Sequence, residues 1–238
     1  MLSRLLPMLL ALSCSPAMAQ DHVVFEEEWT ATVSASRYVS PQHEAAEAAA
    51  IAAFGPFRVL DASTVALVDI TDSQSPAQFG AMLRAFPQVS RLTFVEAPGT
   101  HDDIANLELG RMIRERGLVT SAPEGGSVRS GAVELFLAGV ERYIDAGSEF
   151  AVHGWLDDRG MGAEDYPADA PEHRRYLDYY VEMGMGEEEA RDFYDMTNSV
   201  PFESALWLTG EDMRGWIDGK SLDSEADAPL LTYASLSL

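Results

Sequence analysis

A serine and a histidine 23 positions apart carry the strongest chemical signal in this 238-residue chain. Ser130 follows the loop residues Glu124, Gly125, Gly126 and Ser127 and precedes Gly131 and Ala132. From there apolar residues recur at Val133, Phe136, Leu137, Val140 and Ile144, a spacing that predicts a helix. A serine at a helix start sits beside backbone N–H groups that lack intrahelical partners and can stabilise a developing oxyanion. His153 closes the run Phe150-Ala151-Val152 and reads as the end of a strand. A nucleophile at a helix start with a base at a strand end suits acyl transfer. The plainer readings are an N-capping serine and a strand-end histidine beneath Trp155.

Positioning such a pair requires a regular framework, and the chain supplies an alternation. Val65 to Ile70 predicts a strand, Pro76 to Phe86 a helix, and Leu92 to Val95 a second strand ending at Ala97-Pro98-Gly99-Thr100. Asp102 and Asp103 open a helix with Ile104, Leu107, Met112 and Ile113 inward, stopped by Gly117 as a C-terminal cap. Leu118 to Ser121 is a third strand, the Ser130 helix follows, and Glu149 to His153 is a fourth. Strands separated by helices indicate βαβ units and a parallel sheet, whose ligands gather at the strands' C-terminal ends. Gly99, Thr100, Ser130 and His153 all fall at or beyond such ends.

Outside this region the signals are weaker. Glu26 to Val33 reads as a strand and His43 to Phe54 as an Ala-rich helix. Asp157 to Ala170 is an acidic loop or flap, helices are expected over Glu172 to Met183, Glu187 to Met196 and Glu211 to Ile217, and Leu230 to Tyr233 reads as a last strand. Tyr176, Tyr179, Tyr180 and Met183 share helical spacing and are expected in the core or at a subunit contact. His173 is expected to face solvent. No repeat or linker divides the chain.

Met1 to Ala19 has the pattern of a cleaved secretory signal: Arg4, the apolar run Leu5 to Leu12, and Ala17-Met18-Ala19. The apolar run is too short to span a bilayer. Its removal leaves one domain, 20–238, and takes away Cys14, the single cysteine, so disulfide and thiolate chemistry are excluded from the mature chain. The expected compartment is periplasmic or extracellular. The formal net charge of −23 opposes binding to phosphate backbones and anionic lipid, so neither nucleic acid nor membrane is an expected partner. His101-Asp102-Asp103 resembles a metal cluster but is better read as dipole-complementing caps, and no cofactor or metal is expected.

With these residues in view, the chain resembles the Clp protease/crotonase-like superfamily, and within it secreted Clp-protease-like hydrolases. The likeness runs from Glu96-Ala97-Pro98-Gly99-Thr100 through Leu109 to Arg114, Ser130-Gly131-Ala132 and Phe136 to Gly139, to Ala151-Val152-His153, with a weaker match at Trp207 to Glu211. It implies an α/β fold, a parallel sheet built from βαβ units with flanking helices. It also implies Ser130 as nucleophile, His153 as general base, and amide donors from Thr100 and Gly131 beside the Gly99 turn. Homo-oligomerisation and a peptide or small ester or amide substrate are further implications. Two departures stand out. Thr100 replaces a glycine, and the position upstream of Trp207 where an acid is expected holds Ser204. Glu203, beside it, becomes the candidate acid, unless water or a backbone carbonyl orients the imidazole. The competing function is a binding or assembly protein that keeps the fold without the chemistry.

Overall fold

The computed structural model describes residue 40 and residues 42–221. The readings at Met1–Ala19, His22, Glu26–Val33 and Leu230–Tyr233 lie outside the described residues. Helix α1 (His43–Ala49) leads into strands β1 (Ala52–Phe54) and β2 (Phe57–Val59), joined by a tight turn in which Gly55 takes φ 56°. Then come β3 (Thr64–Leu67), α2 (Ser75–Ala85), β4 (Arg91–Phe94), β5 (Glu96–Ala97) and α3 (Asp103–Glu115). They are followed by β6 (Val119–Ala122), β7 (Ser127–Arg129), α4 (Ala132–Leu137), β8 (Arg142–Ile144) and β9 (Glu149–Val152). Beyond a 3-10 turn at Ala163–Asp165 lie α5 (Pro171–Glu182), α6 (Glu187–Thr197), β10 (Leu206–Thr209), α7 (Gly210–Trp216) and β11 (Lys220–Ser221).

The strands make two sheets, in the orders β1-β2-β3-β4-β6-β8-β11 and β10-β9-β7-β5. In the larger sheet β3, β4, β6, β8 and β11 run parallel, and only the β1-β2-β3 edge is antiparallel. In the smaller, β5, β7 and β9 are parallel and β10 is antiparallel. This is a mixed α/β fold, mainly parallel, with flanking helices. Each of β4, β6 and β8 continues within a few residues into a strand of the smaller sheet. The chain therefore climbs both sheets together, one strand pair per turn.

That doubling corrects the sequence reading in two places. His153 follows a strand of the smaller sheet, not the next strand of a single sheet. The helix expected from Ser130 to Ile144 ends at Leu137, and Ile144 belongs to β8. Thr120 Oγ1 donates to the Phe136 carbonyl at 2.8 Å, and Arg142 Nε donates to the Leu137 carbonyl at 2.9 Å. The Arg142 bond meets a terminal carbonyl of the helix, and the Thr120 bond adds to the Gly139 N–H that the Phe136 carbonyl also accepts. Between α4 and β8, Val140 is exposed.

Capping chemistry sets α3 as the sequence predicts. Asp102 accepts the Ala105 N–H at 3.0 Å, and Gly117 leaves the helix at φ 70° while the Leu118 N–H returns to the Ile113 carbonyl. Ile104, expected inward, is instead 67% exposed. A row of edge-to-face rings, Phe94, Phe136 and Phe150, ties β4, α4 and β9 together with centroids 5.3 Å apart. Tyr176, Tyr179, Tyr180 and Met183 are buried, all on or just after α5. One buried apolar cluster runs from Phe57 to Ile217.

Candidate active site

Parallel pairing of β7 with β9 brings the two candidate residues together. Arg129 lies opposite Ala151, so Ser130 and His153 emerge one and two residues later at neighbouring strand ends. The Ser130 N–H donates to the Ala151 carbonyl at 2.8 Å. Ser130 takes φ 50°, the only positive φ of a non-glycine residue among the described residues. A left-handed conformation costs a side-chain-bearing residue about 1–2 kcal/mol. Here it turns the chain from β7 into α4 within two residues. Gly131 forms the N-cap of α4 without a side-chain cap bond, and Ser130 Oγ bonds to no described residue. The hydroxyl therefore serves no capping role. It lines a cleft of about 820 Å³ together with Thr100, Gly131 and His153.

The amides expected for the oxyanion sit at this corner. Residue 100 does not need positive φ; the preceding glycine does, at φ 129°. The Gly99 carbonyl accepts from Thr71 N and the Thr71 carbonyl accepts from His101 N, which leaves the Thr100 N–H without a partner among the described residues. The Gly131 N–H is likewise unengaged there. Close approach of the two loops requires glycine at 131, where a Cβ would stand 2.5 Å from Thr100 Cγ2. Asn106, buried on α3 and not singled out from sequence, locks the corner. Its Nδ2 donates to the Gly131 carbonyl at 2.6 Å and its Oδ1 accepts from Thr71 Oγ1 at 3.0 Å.

Gly99 presses directly on Ser130. A methyl group at Gly99 would stand 3.0 Å from Ser130 Cβ and 3.3 Å from Ser130 Oγ, on a backbone conformation that side chains resist. Gly99→Ala is therefore expected to slow covalent modification of Ser130 by about 10²-fold, the scale of a 1 Å misplacement. Labelling kinetics with a fluorophosphonate, beside an unchanged circular dichroism spectrum, check this.

His153 Nδ1 lies 2.9 Å from the Gly154 carbonyl. A carbonyl can only accept, so Nδ1 carries the proton and Nε2 is left with its lone pair, the tautomer a general base needs. Glu203 does not supply this contact. It lies in an exposed turn between α6 and β10 and does not line the cleft.

Two carboxyl groups that the sequence did not single out as site residues do line it. Glu134, one helical turn after Ser130, is buried and accepts a hydrogen bond from Tyr180 Oη at 2.9 Å. Burial pushes its pKa up to about 7, against the opposing help of hydrogen bonds. Asp103, on α3, accepts from Tyr176 Oη at 2.9 Å and is likewise raised by burial, partly offset by that hydroxyl and by the Arg175 guanidinium. The acid in Ser130-Gly131-Ala132-Val133-Glu134 is visible in the sequence, but its burial comes from α5, more than 40 residues away.

The flap after β9 forms the opposite wall. Trp155 stacks on Tyr176 with centroids 6.0 Å apart, and its Nε1 donates to Tyr194 Oη at 2.8 Å. His173 is buried, contrary to expectation, with Nδ1 2.8 Å from the same hydroxyl. Asp157 organises the acidic stretch by accepting from the amides of Arg159 and Met161 and from the hydroxyl of Tyr166, which holds its carboxyl well below the usual range. No group of three or more His, Cys, Asp or Glu among the described residues is placed to hold a metal ion. No helix there is long and apolar enough to cross a membrane.

No protein-family model matches the chain, and no curated protein matches it. Solved structures do. A mutant of ClpP1 from Listeria monocytogenes is 15% identical with a TM-score of 0.48, over 67% of this chain and 91% of that one. A mutant of the 1510-N membrane-bound stomatin-specific protease is 14% identical with a TM-score of 0.46, over 67% and 80%. A probable enoyl-CoA hydratase/isomerase from Mycobacterium abscessus is 12% identical with a TM-score of 0.45, over 73% and 71%.

Proposed function

We propose that the protein is a secreted serine hydrolase acting on an amide or ester bond. The observation that carries the reading is Ser130: a left-handed, non-capping serine with a free hydroxyl, at the strand end next to His153 and between two unengaged amides. Ser130 Oγ attacks the carbonyl, His153 Nε2 takes the proton and returns it to the leaving group, and the amides of Thr100 and Gly131 hold the oxyanion. The Gly154 carbonyl, rather than Glu203, keeps the imidazole in its working tautomer. The substrate is a peptide or a small ester or amide. The Met1–Ala19 pattern supports a periplasmic or extracellular setting, and assembly into a homo-oligomer belongs to the same proposal.

Among the described residues, no hydrogen bond joins Ser130 to His153 and no carboxylate bonds to His153, which favours the second reading, a binding protein that keeps the fold. Covalent labelling separates the two. A fluorophosphonate probe is expected to modify the wild type and not Ser130→Ala, with identical circular dichroism. A wild type that stays unlabelled while a control serine hydrolase reacts would leave the binding protein as the better reading.

A further inference from the structure

We infer that Phe202 is a positioning residue for His153, holding the imidazole by ring-to-ring contact. This rests on the hydrolase reading above and adds a residue to it. Phe202 is 48% exposed, yet its ring is not loose on the surface. Its ring meets that of His153 edge to face, with centroids 4.9 Å apart and planes at 87°.

The backbone explains why the two rings meet. The loop leaving α6 is fastened on both sides of the histidine. Before Phe202, the Val200 carbonyl accepts the Gly154 N–H at 2.8 Å. After it, Leu206 pairs with Val152 as β10 lies antiparallel on β9. Between the anchors, Pro201 fixes one φ, and the Ser204 N–H closes a turn onto the Pro201 carbonyl at 3.0 Å. The residues flanking His153 in sequence thus hold the ends of the segment that carries Phe202. The turn leaves the neighbouring Glu203 exposed.

One consequence for the imidazole follows from this contact. The Gly154 carbonyl constrains Nδ1 but leaves the ring free to pivot about that hydrogen bond, and a neighbouring aromatic ring in edge-to-face contact limits the pivot. The restraint acts on the chemical step and does not require Phe202 to touch the substrate. Phe202 therefore supplies part of the orientation that an acid partner would supply.

The test uses the full chain and a fluorophosphonate probe, read as the saturating labelling rate kinact and the half-saturating concentration KI. Phe202→Ala is expected to lower kinact about tenfold with KI unchanged, within the loss that a misplaced catalytic group causes. Phe202→Tyr and Phe202→Trp, which keep a ring, should restore most of the rate, and Phe202→Leu should not. In parallel, the ring-proton resonances of His153 should move when Phe202 becomes Ala, since the adjacent ring current is lost. An unchanged kinact overturns the proposal, as does a rise in KI alone, which would make Phe202 a substrate contact. Full rescue by Leu overturns it too, because mere apolar cover would then suffice. If the wild type is never labelled, the hydrolase reading fails and takes this one with it. A labelled wild type with an equally fast Phe202→Ala variant sinks the positioning role alone.

Discussion

Replacing Arg129 by methionine is expected to cost about 3–5 kcal/mol of unfolding free energy, the scale for removing one partner of a buried ion pair. Arg129 is 1% exposed, on β7, an interior strand of the smaller sheet. Its guanidinium pairs with Glu96 on the adjacent strand β5, and Nη1 donates to Ser127 Oγ at 2.6 Å. The second Glu96 oxygen accepts the Ser40 N–H. Without the guanidinium, a carboxylate stays buried with one amide for company. Arg129→Met combined with Glu96→Leu removes both charges and should recover most of the loss. Urea unfolding followed by circular dichroism measures both variants. A single variant within 1 kcal/mol of the wild type would mean that the pair is solvated in solution. Since Arg129 immediately precedes Ser130, labelling of the folded single variant should also slow.

Glu134→Gln is expected to reverse part of the protein's dependence on pH. The Glu134 pKa stands near 7 in the folded chain against an ordinary value of 4.5, because burial disfavours the ionised form. A raised carboxyl pKa stabilises the fold below the unfolded value and loses that contribution as pH climbs through the folded one. The wild type should therefore lose on the order of 3 kcal/mol between about pH 4.5 and pH 7 and above through this group. Glutamine keeps an acceptor for Tyr180 Oη and carries no charge, so the variant should be flatter over that window and more stable than the wild type at pH 8. Urea unfolding at half-unit steps from pH 4.5 to 8.5 reads the difference. Parallel curves for the two proteins would show that Glu134 is not desolvated.

Local chemistry was the part of the fold legible in the sequence. The Asp102 cap and the Gly117 stop define α3 within a few residues, and the βα alternation locates β3, β4, β6 and the edge of a parallel sheet. Short strands were not legible. β7 and β8 have three residues each, too few for a period-2 pattern to show. The apolar residues of β8 also continued the helical spacing of α4, so two elements merged into one reading. At the candidate site, Ser130 and His153 stand out in the sequence because their types and spacing are themselves the signal. Glu134 and Asp103 were not, because their burial comes from the tyrosines of α5. Phe202 and Glu203 are neighbours in sequence, and only the turn decides which of them meets the imidazole.

The left-handed backbone at residue 130 also bears on durability. Glycine would adopt that geometry without the steric toll that serine's Cβ incurs. A chain that needed nothing but the architecture would be sturdier with the side chain deleted there. The hydroxyl thus sits where it weakens the scaffold, so whatever work it does is drawn from the molecule's own resilience.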